Sequence, residues 1–218
     1  MNITPELLLS AYMQGIFPMA ESANSDDVFW VDPDERGILP LDQFHVPKKL
    51  AKKIRTEPFK VKINTAFRDV MLKCAEPTDN VDRKNTWINK TILTRYNELH
   101  EMGYAHSVEC WQNDELVGGL YGVSLNGAFY GESMFHTITD ASKIALVYLV
   151  ARLKIGGYSL LDTQFVTDHL SQFGAIEIPR KEYRAQLKEA LAIEDSNFYS
   201  ISEEADGSTI LQSVTQTS

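Results

Sequence analysis

The stretch from Leu116 to Phe135 constrains this chain more than any other. Leu116 to Val123 is an apolar run interrupted by Gly118, Gly119 and Gly122. Asn126-Gly127 follows, and Ala128-Phe129-Tyr130 leads back to Gly131-Glu132-Ser133-Met134-Phe135. An Asn-Gly pair between two apolar runs predicts a hairpin closed by a type I′ turn. Glycines inside adjacent strands weaken a sheet, so they point to a bulge or to a backbone that something approaches closely. Glu132 stands among aromatic and apolar neighbours, where an unpaired carboxylate is costly. It either answers a nearby Lys or Arg or belongs to a site.

The remaining chain frames this hairpin as an α+β fold. Thr4-Pro5 opens a helix that Gly15 closes, followed by an apolar turn at Ile16-Phe17-Pro18-Met19. Phe29-Trp30, Asp32-Pro33 and an Arg36-Gly37 turn complete a small N-terminal lobe, residues 1–36. Residues 37–193 form the main domain. Its expected elements are a basic helix from Lys48 to Thr56, a strand from Phe59 to Asn64, and a helix from Thr65. A polar loop covers Glu76 to Asn85, and Asn89 starts a helix ending near Met102. His106 to Gln112 and Glu115 to Val123 flank Asn113-Asp114 as a second hairpin. Ala141 to Ile155 reads as a long apolar helix, Ser159 to Gln164 as a strand, and Thr167 to Phe173 and Lys181 to Leu191 as helices. Residues 194–218 carry five acids, no bases and many Ser and Thr, which predicts a disordered tail.

Composition bounds the functional classes. A chain of 218 residues with 44% hydrophobic and 23% charged residues can bury one good core. It has no apolar run near the roughly 18 residues of a membrane span and no basic leader, and Cys74 and Cys110 stand far apart. These features predict a soluble cytoplasmic protein. The formal net charge of −9 argues against nonspecific coating of nucleic acid. Between His45 and Cys74, however, nine basic residues face only Glu57 and Asp69. Such a run is either a solvated helix face or a local phosphate-binding patch. There is no GxxxxGK[ST], no strand-GxGxxG-helix, no HExxH and no GxSxG.

What remains is Glu132, Asp162 and Gln164 at strand ends. Asp162 and Gln164 lie two apart and so share a strand face, and they converge with Glu132 if the two strands are sheet neighbours. Asp162 also reads as an ordinary turn or cap acid.

Taken together, the segments Ala11-Tyr12 with Gly15-Ile16-Phe17-Pro18, Thr86-Trp87-Ile88, His106 to Glu109, Leu116 to Gly122, Gly131 to Phe135, Ala141-Ser142-Lys143, Asp162 with Gln164, and Gly174-Ala175 to Arg180 resemble, in the same order, the leucyl/phenylalanyl-tRNA–protein transferases. Met19 stands where many members carry Trp. The resemblance implies an acyl-CoA N-acyltransferase-like domain used without coenzyme A, with a mixed, largely antiparallel sheet flanked by helices. It implies transfer of Leu or Phe, less readily Met, from aminoacyl-tRNA to an N-terminal Lys or Arg of an acceptor protein, marking it for N-end-rule degradation. It further implies a monomer that needs no cofactor or metal and no membrane.

In that reaction Asp162 and Gln164 are the catalytic relay on the incoming amine, and Glu132 holds the aminoacyl end. Trp87, Phe129, Ser133, Met134 and Phe135 are the candidate substrate-binding residues, although strand alternation cannot turn Phe129, Met134 and Phe135 all inward. Lys48, Lys49, Lys52, Lys53 and Arg55 are the candidate tRNA contacts. Two rivals stand beside this reading: a coenzyme-A-dependent N-acetyltransferase, whose Q/RxxGxG/A turn is missing, and a noncatalytic tRNA-binding adaptor.

Overall fold

Thr4 caps the first helix by accepting the Leu7 N–H, and Pro5 takes the position where a missing N–H costs nothing. The computed structural model describes residues 3–25, 27–77, 86–202 and 204–215. Its elements run α1 (Pro5–Met13), β1 (Phe17–Met19), β2 (Phe29–Val31), β3 (Glu35–Ile38), α2 (Lys48–Ile54), β4 (Lys60–Ile63), α3 (Phe67–Ala75) and α4 (Lys90–Glu101). They continue as β5 (Ala105–Gln112), β6 (Glu115–Leu125), β7 (Ala128–His136), α5 (Ala141–Ile155), β8 (Leu160–Gln164), α6 (Asp168–Ser171), β9 (Ile176–Pro179), α7 (Arg180–Leu191) and α8 (Gly207–Thr215). Most of the polar loop expected from Glu76 to Asn85 lies outside the described residues.

The fold is mixed α+β. β1 and β2 form a small ribbon, and a seven-stranded sheet has the order β4-β5-β6-β7-β8-β3-β9. Neighbours are antiparallel except β7 and β8, which run parallel because α5 carries the chain back across the sheet between them. α5 is apolar on nearly every side, as a helix buried between layers must be. Strand alternation divides the core. Val108, Leu120, Phe129 and Leu161 pack beneath α2, α5 and α8, whereas Tyr121, Val123, Tyr130 and Leu160 face α1, α3, α4 and α7.

The glycines of the central hairpin do mark close approach. A Cβ at Gly118 would stand 2.4 Å from the Ala141 Cβ, so the start of α5 sits directly on bare β6. Glu109, fully buried on β5, is held by Thr65 Oγ1, the Ala66 N–H at 2.8 Å, Ser107 Oγ at 2.8 Å and Trp111 Nε1 at 3.0 Å. Four donors are what a buried carboxylate requires.

Several expectations are corrected here. Asn126 has φ +50° but Gly127 has no positive φ, so the loop is not a type I′ turn. Gly127 is required for another reason, since its Cβ would lie 2.8 Å from the Ala190 carbonyl oxygen at the end of α7. Asn113 and Asp114, with φ +50° and +61°, are the pair with both residues left-handed. Arg36-Gly37 is not a turn but the middle of β3, so a lobe boundary at residue 36 cuts an internal strand of the main sheet.

The expectation of a disordered tail from residue 194 is also corrected for its described part. Phe198, Ile201, Ile210, Leu211 and Val214 are buried against α2 and α5, and Arg152 Nη1 donates to the Phe198 and Ile201 carbonyls at 3.0 Å each. Five apolar anchors outweigh the polar average of the segment.

Candidate active site

The site forms where the parallel seam opens. β7 and β8 pair only at Ala128–Tyr130 with Leu160–Asp162, although β7 runs on to His136 and β8 to Gln164. At the same level the β6–β7 register slips: Gly122 faces Gly131 and Tyr121 faces Ser133, leaving Glu132 as the extra residue of a bulge. A bulge of this kind re-aims a side chain. Glu132 is turned toward α1 and α4, where it accepts from Tyr12 Oη at 2.6 Å and Tyr96 Oη at 3.3 Å. The two tyrosine hydroxyls also hydrogen bond to each other. Gln164 Nε2 lies 3.4 Å from Glu132 Oε1 across the opening.

Burial pushes the Glu132 carboxyl up to about 8; the tyrosine hydrogen bonds oppose this, and the Asp162 charge adds to it. The residue as a whole is only half-buried, so an enclosed carboxyl sits within reach of the surface. Burial and the Glu132 charge together hold the Tyr12 and Tyr96 hydroxyls well above the ordinary phenol range. Both therefore keep their protons: Tyr12 donates to Glu132 at the shorter distance, and Tyr96 shares its proton between Glu132 and the Tyr12 hydroxyl.

Asp162 lies behind this group and is fully buried. Arg36 Nε donates to its two oxygens at 3.0 and 3.2 Å, and Arg36 Nη2 donates to Oδ2 at 2.7 Å. Tyr183 Oη donates to Oδ2 at 2.6 Å, and the Gln164 N–H donates to Oδ1 at 2.8 Å. Burial alone would lower the Arg36 pKa, but Asp162 overrides it and raises the guanidinium above its ordinary value. Arg36 Nη1 reaches the Gly15 carbonyl at 2.9 Å, and the rings of Phe17 and Tyr183 each lie 4.5 Å from the guanidinium carbon.

The candidate residues are thus only partly brought together. Glu132 and Gln164 meet, and Asp162 supports Gln164 from beneath. Ser133 and Phe135 share the Glu132 side of β7, while Phe129 and Met134 turn to the α5 side. Phe129 is fully buried against Phe198, with ring centroids 5.7 Å apart, and Met134 is half-buried. Trp87 is half-buried against the cluster that holds Tyr12 and Tyr96.

Lys48, Lys49 and Lys52 are exposed on α2 and Arg55 is exposed at its C-cap, whereas Lys53 binds the Thr139 carbonyl at 2.8 Å and Asp140 at 3.0 Å beside the start of α5. Sequence reasoning missed Tyr12, Tyr96, Tyr183 and Arg36. The tyrosines look like core residues of apolar helix faces, and only the apolar Ile38-Leu39 after Arg36 hints at a strand. Two open surface hollows, one between α1 and α7 and one beside β3, β8 and α7, are not lined by Glu132, Asp162 or Gln164. Among the described residues no helix is long and apolar enough to cross a membrane, and no cluster of three His, Cys, Asp or Glu could hold a metal.

Comparison with known proteins bears on the whole chain. The family model described as leucyl/phenylalanyl-tRNA protein transferase matches residues 38–188, and that of the N-terminal domain of the same family matches residues 1–34. A relative from Phenylobacterium zucineum named leucyl/phenylalanyl-tRNA–protein transferase is 54% identical, with 97% of this chain and 96% of the relative covered. Relatives of the same name from Maricaulis maris and Nitrobacter winogradskyi are 54% and 59% identical. They cover 98% and 87% of this chain, and 97% and 84% of their own lengths. Among solved structures, that of L-PGS from Bacillus licheniformis aligns with 79% of this chain and 58% of its own at 14% identity and a TM-score of 0.37, too slight a likeness to build on. With one family model spanning most of the chain and relatives above half identity over nearly all of it, the chain belongs to the leucyl/phenylalanyl-tRNA protein transferase family.

Proposed function

We propose that this chain transfers leucine or phenylalanine, and less readily methionine, from aminoacyl-tRNA to the N-terminal Lys or Arg of acceptor proteins, marking them for degradation. The observation that carries the reading is the meeting of Glu132 and Gln164 at an opened strand seam in a member of this family. The seam and its bulge support an acyl-CoA N-acyltransferase-like use of the main domain without coenzyme A, beside a small N-terminal lobe that ends before β3. The reading has the protein act as a cytoplasmic monomer without a cofactor.

The reaction is aminolysis of an activated ester, so neither ATP nor a metal is demanded. The acceptor amine attacks the ester carbonyl, the carbon–nitrogen bond forms, and the ribose oxygen leaves carrying the proton that the amine gives up. Positioning of the two reactants supplies several kcal/mol. Glu132, with a carboxyl near 8, becomes a carboxylate beside the cationic amino group of the bound aminoacyl ester and holds it. The Gln164 carboxamide orients the attacking amine. Asp162, whose oxygens are filled by Arg36, Tyr183 and the Gln164 N–H, holds Gln164 in place. Ser133 borders the amino-acid side chain on the Glu132 face of the seam, with Phe135 and Trp87 shaping it from behind, whereas Phe129 and Met134 face α5 and stand outside that pocket.

Incubation with radiolabelled leucyl-tRNA and an acceptor protein starting with Arg tests the reading directly. Label should pass to the acceptor, and acetyl-CoA should not acetylate it. Acetylation instead of transfer would identify a coenzyme-A enzyme, and tRNA binding without transfer would identify an adaptor.

The exposed face of α2 is assigned to phosphates of the tRNA acceptor arm. Reversing charge at Lys49 and Lys52 should weaken tRNA binding and flatten its salt dependence by roughly one unit of slope per lost contact. An unchanged slope would return α2 to the role of a solvated face. Lys53 is the poorer probe, because its reversal also breaks the Asp140 contact.

A further inference from the structure

Gln164 has an unusual backbone. Its φ is +57°, a left-handed conformation that a non-glycine residue rarely adopts. The Phe165 N–H closes a three-residue turn around it by donating to the Thr163 carbonyl at 2.6 Å. Tight turns of this hand are strained, and such strain persists only where the surroundings enforce it. Two features of β3 enforce it here. Through Arg36, β3 grips Asp162, whose Oδ1 accepts the Gln164 N–H at 2.8 Å. Through Gly37, it lies so close that an added Cβ would stand 2.5 Å from the Phe165 carbonyl carbon.

We propose that Arg36 is a positioning residue for the transfer reaction: by clamping Asp162 it holds Gln164 in the left-handed turn that aims its carboxamide at Glu132. The proposal rests on the assignment of Gln164 to the reacting amine. Arg36 is suited to the task because its planar fork binds both Asp162 oxygens at once, which a lysine cannot do. Its remaining nitrogen is tied to the Gly15 carbonyl just past α1, the helix that supplies Tyr12 to Glu132. The site thus has two arms, one ending at Glu132 and the other, held by Arg36 through Asp162, ending at Gln164. Tyr183 completes the clamp from α7.

The test is a cycle of variants in the full chain: Arg36→Lys, Tyr183→Phe, Gln164→Ala, and each of the first two combined with the third. Single-turnover transfer from leucyl-tRNA to an Arg-starting acceptor is read beside leucyl-tRNA affinity and thermal melting. In folded Arg36→Lys the rate should fall by about 10- to 100-fold, the scale of a small misplacement of a reacting group. Leucyl-tRNA affinity should stay within about twofold, because ester binding does not use the clamp. In the Gln164→Ala background, Arg36→Lys and Tyr183→Phe should add almost nothing, since a group that acts through Gln164 has nothing left to position.

A folded Arg36→Lys protein with near-normal rate overturns the proposal. So does a full multiplicative loss in the Gln164→Ala background, which is what a merely structural Arg36 would give. If Arg36→Lys does not fold, the isosteric Tyr183→Phe cycle decides by the same criteria. A fully active Gln164→Ala protein overturns the assignment of Gln164 together with the clamp, whereas an impaired one with additive partners overturns the clamp alone.

Discussion

Replacing Glu132 with Gln should cut the single-turnover transfer rate by at least about 10²-fold, the lower range for a positioned acid–base or charged group, and leave the protein folded. Gln keeps the size of the side chain and can still accept from Tyr12 and Tyr96. It cannot supply a negative charge to the amino group of the aminoacyl ester.

The same substitution has a signature in stability. The Glu132 carboxyl titrates near 8 in the folded chain against an ordinary value of 4.5. Between those values the folded state holds a proton that the unfolded state has released, so stability falls as pH rises from about 4.5 through about 8. Above that range the wild type carries the full penalty of an enclosed charge, and Glu132→Gln carries none. Thermal melts at pH 6 and pH 9 should show a steeper decline in the wild type than in the variant. Parallel declines would mean that the carboxyl is not enclosed as described.

Removing the chain from Asn197 onward should lower the melting temperature by on the order of 10 °C. The segment buries Phe198, Ile201, Ile210, Leu211 and Val214, and each such side chain contributes about 1.5–3 kcal/mol before the ordering cost is subtracted. Truncation also strips Arg152 of the Phe198 and Ile201 carbonyls, leaving a buried guanidinium without two of its acceptors. A melting temperature unchanged by truncation would show that α8 and its approach do not hold the α2–α5 face together.

Those two results probe parts of the chain that were unequally legible in the sequence. The hairpins, α5 and β8 announce themselves through local periodicity and punctuation. The convergence of Glu132 with Gln164 follows once β7 and β8 are neighbours. β3 is different. Arg36 and Gly37 read as a turn because the partner that explains the charge, Asp162, is 126 residues away, and no local pattern encodes such a contact. The tail misleads for the opposite reason. Its average is polar and acidic, yet Ile210, Leu211 and Val214 keep helical spacing that averaging hides. The left-handed backbone at Gln164 leaves no trace at all, since glutamine carries no preference for it.

The placement of β3 between β8 and β9 also sets when the site can exist. Residues 35–38 emerge early in synthesis, but both of their strand partners, near residues 162–164 and 176–179, emerge late. Pairings that span so much chain form slowly and only once both ends are present. Arg36 therefore has no Asp162 to grip, and Tyr12 no Glu132 to meet, on a growing chain. A half-made copy of this protein thus has no assembled site. Only a chain extended past residue 179 can bring the two arms of the site together.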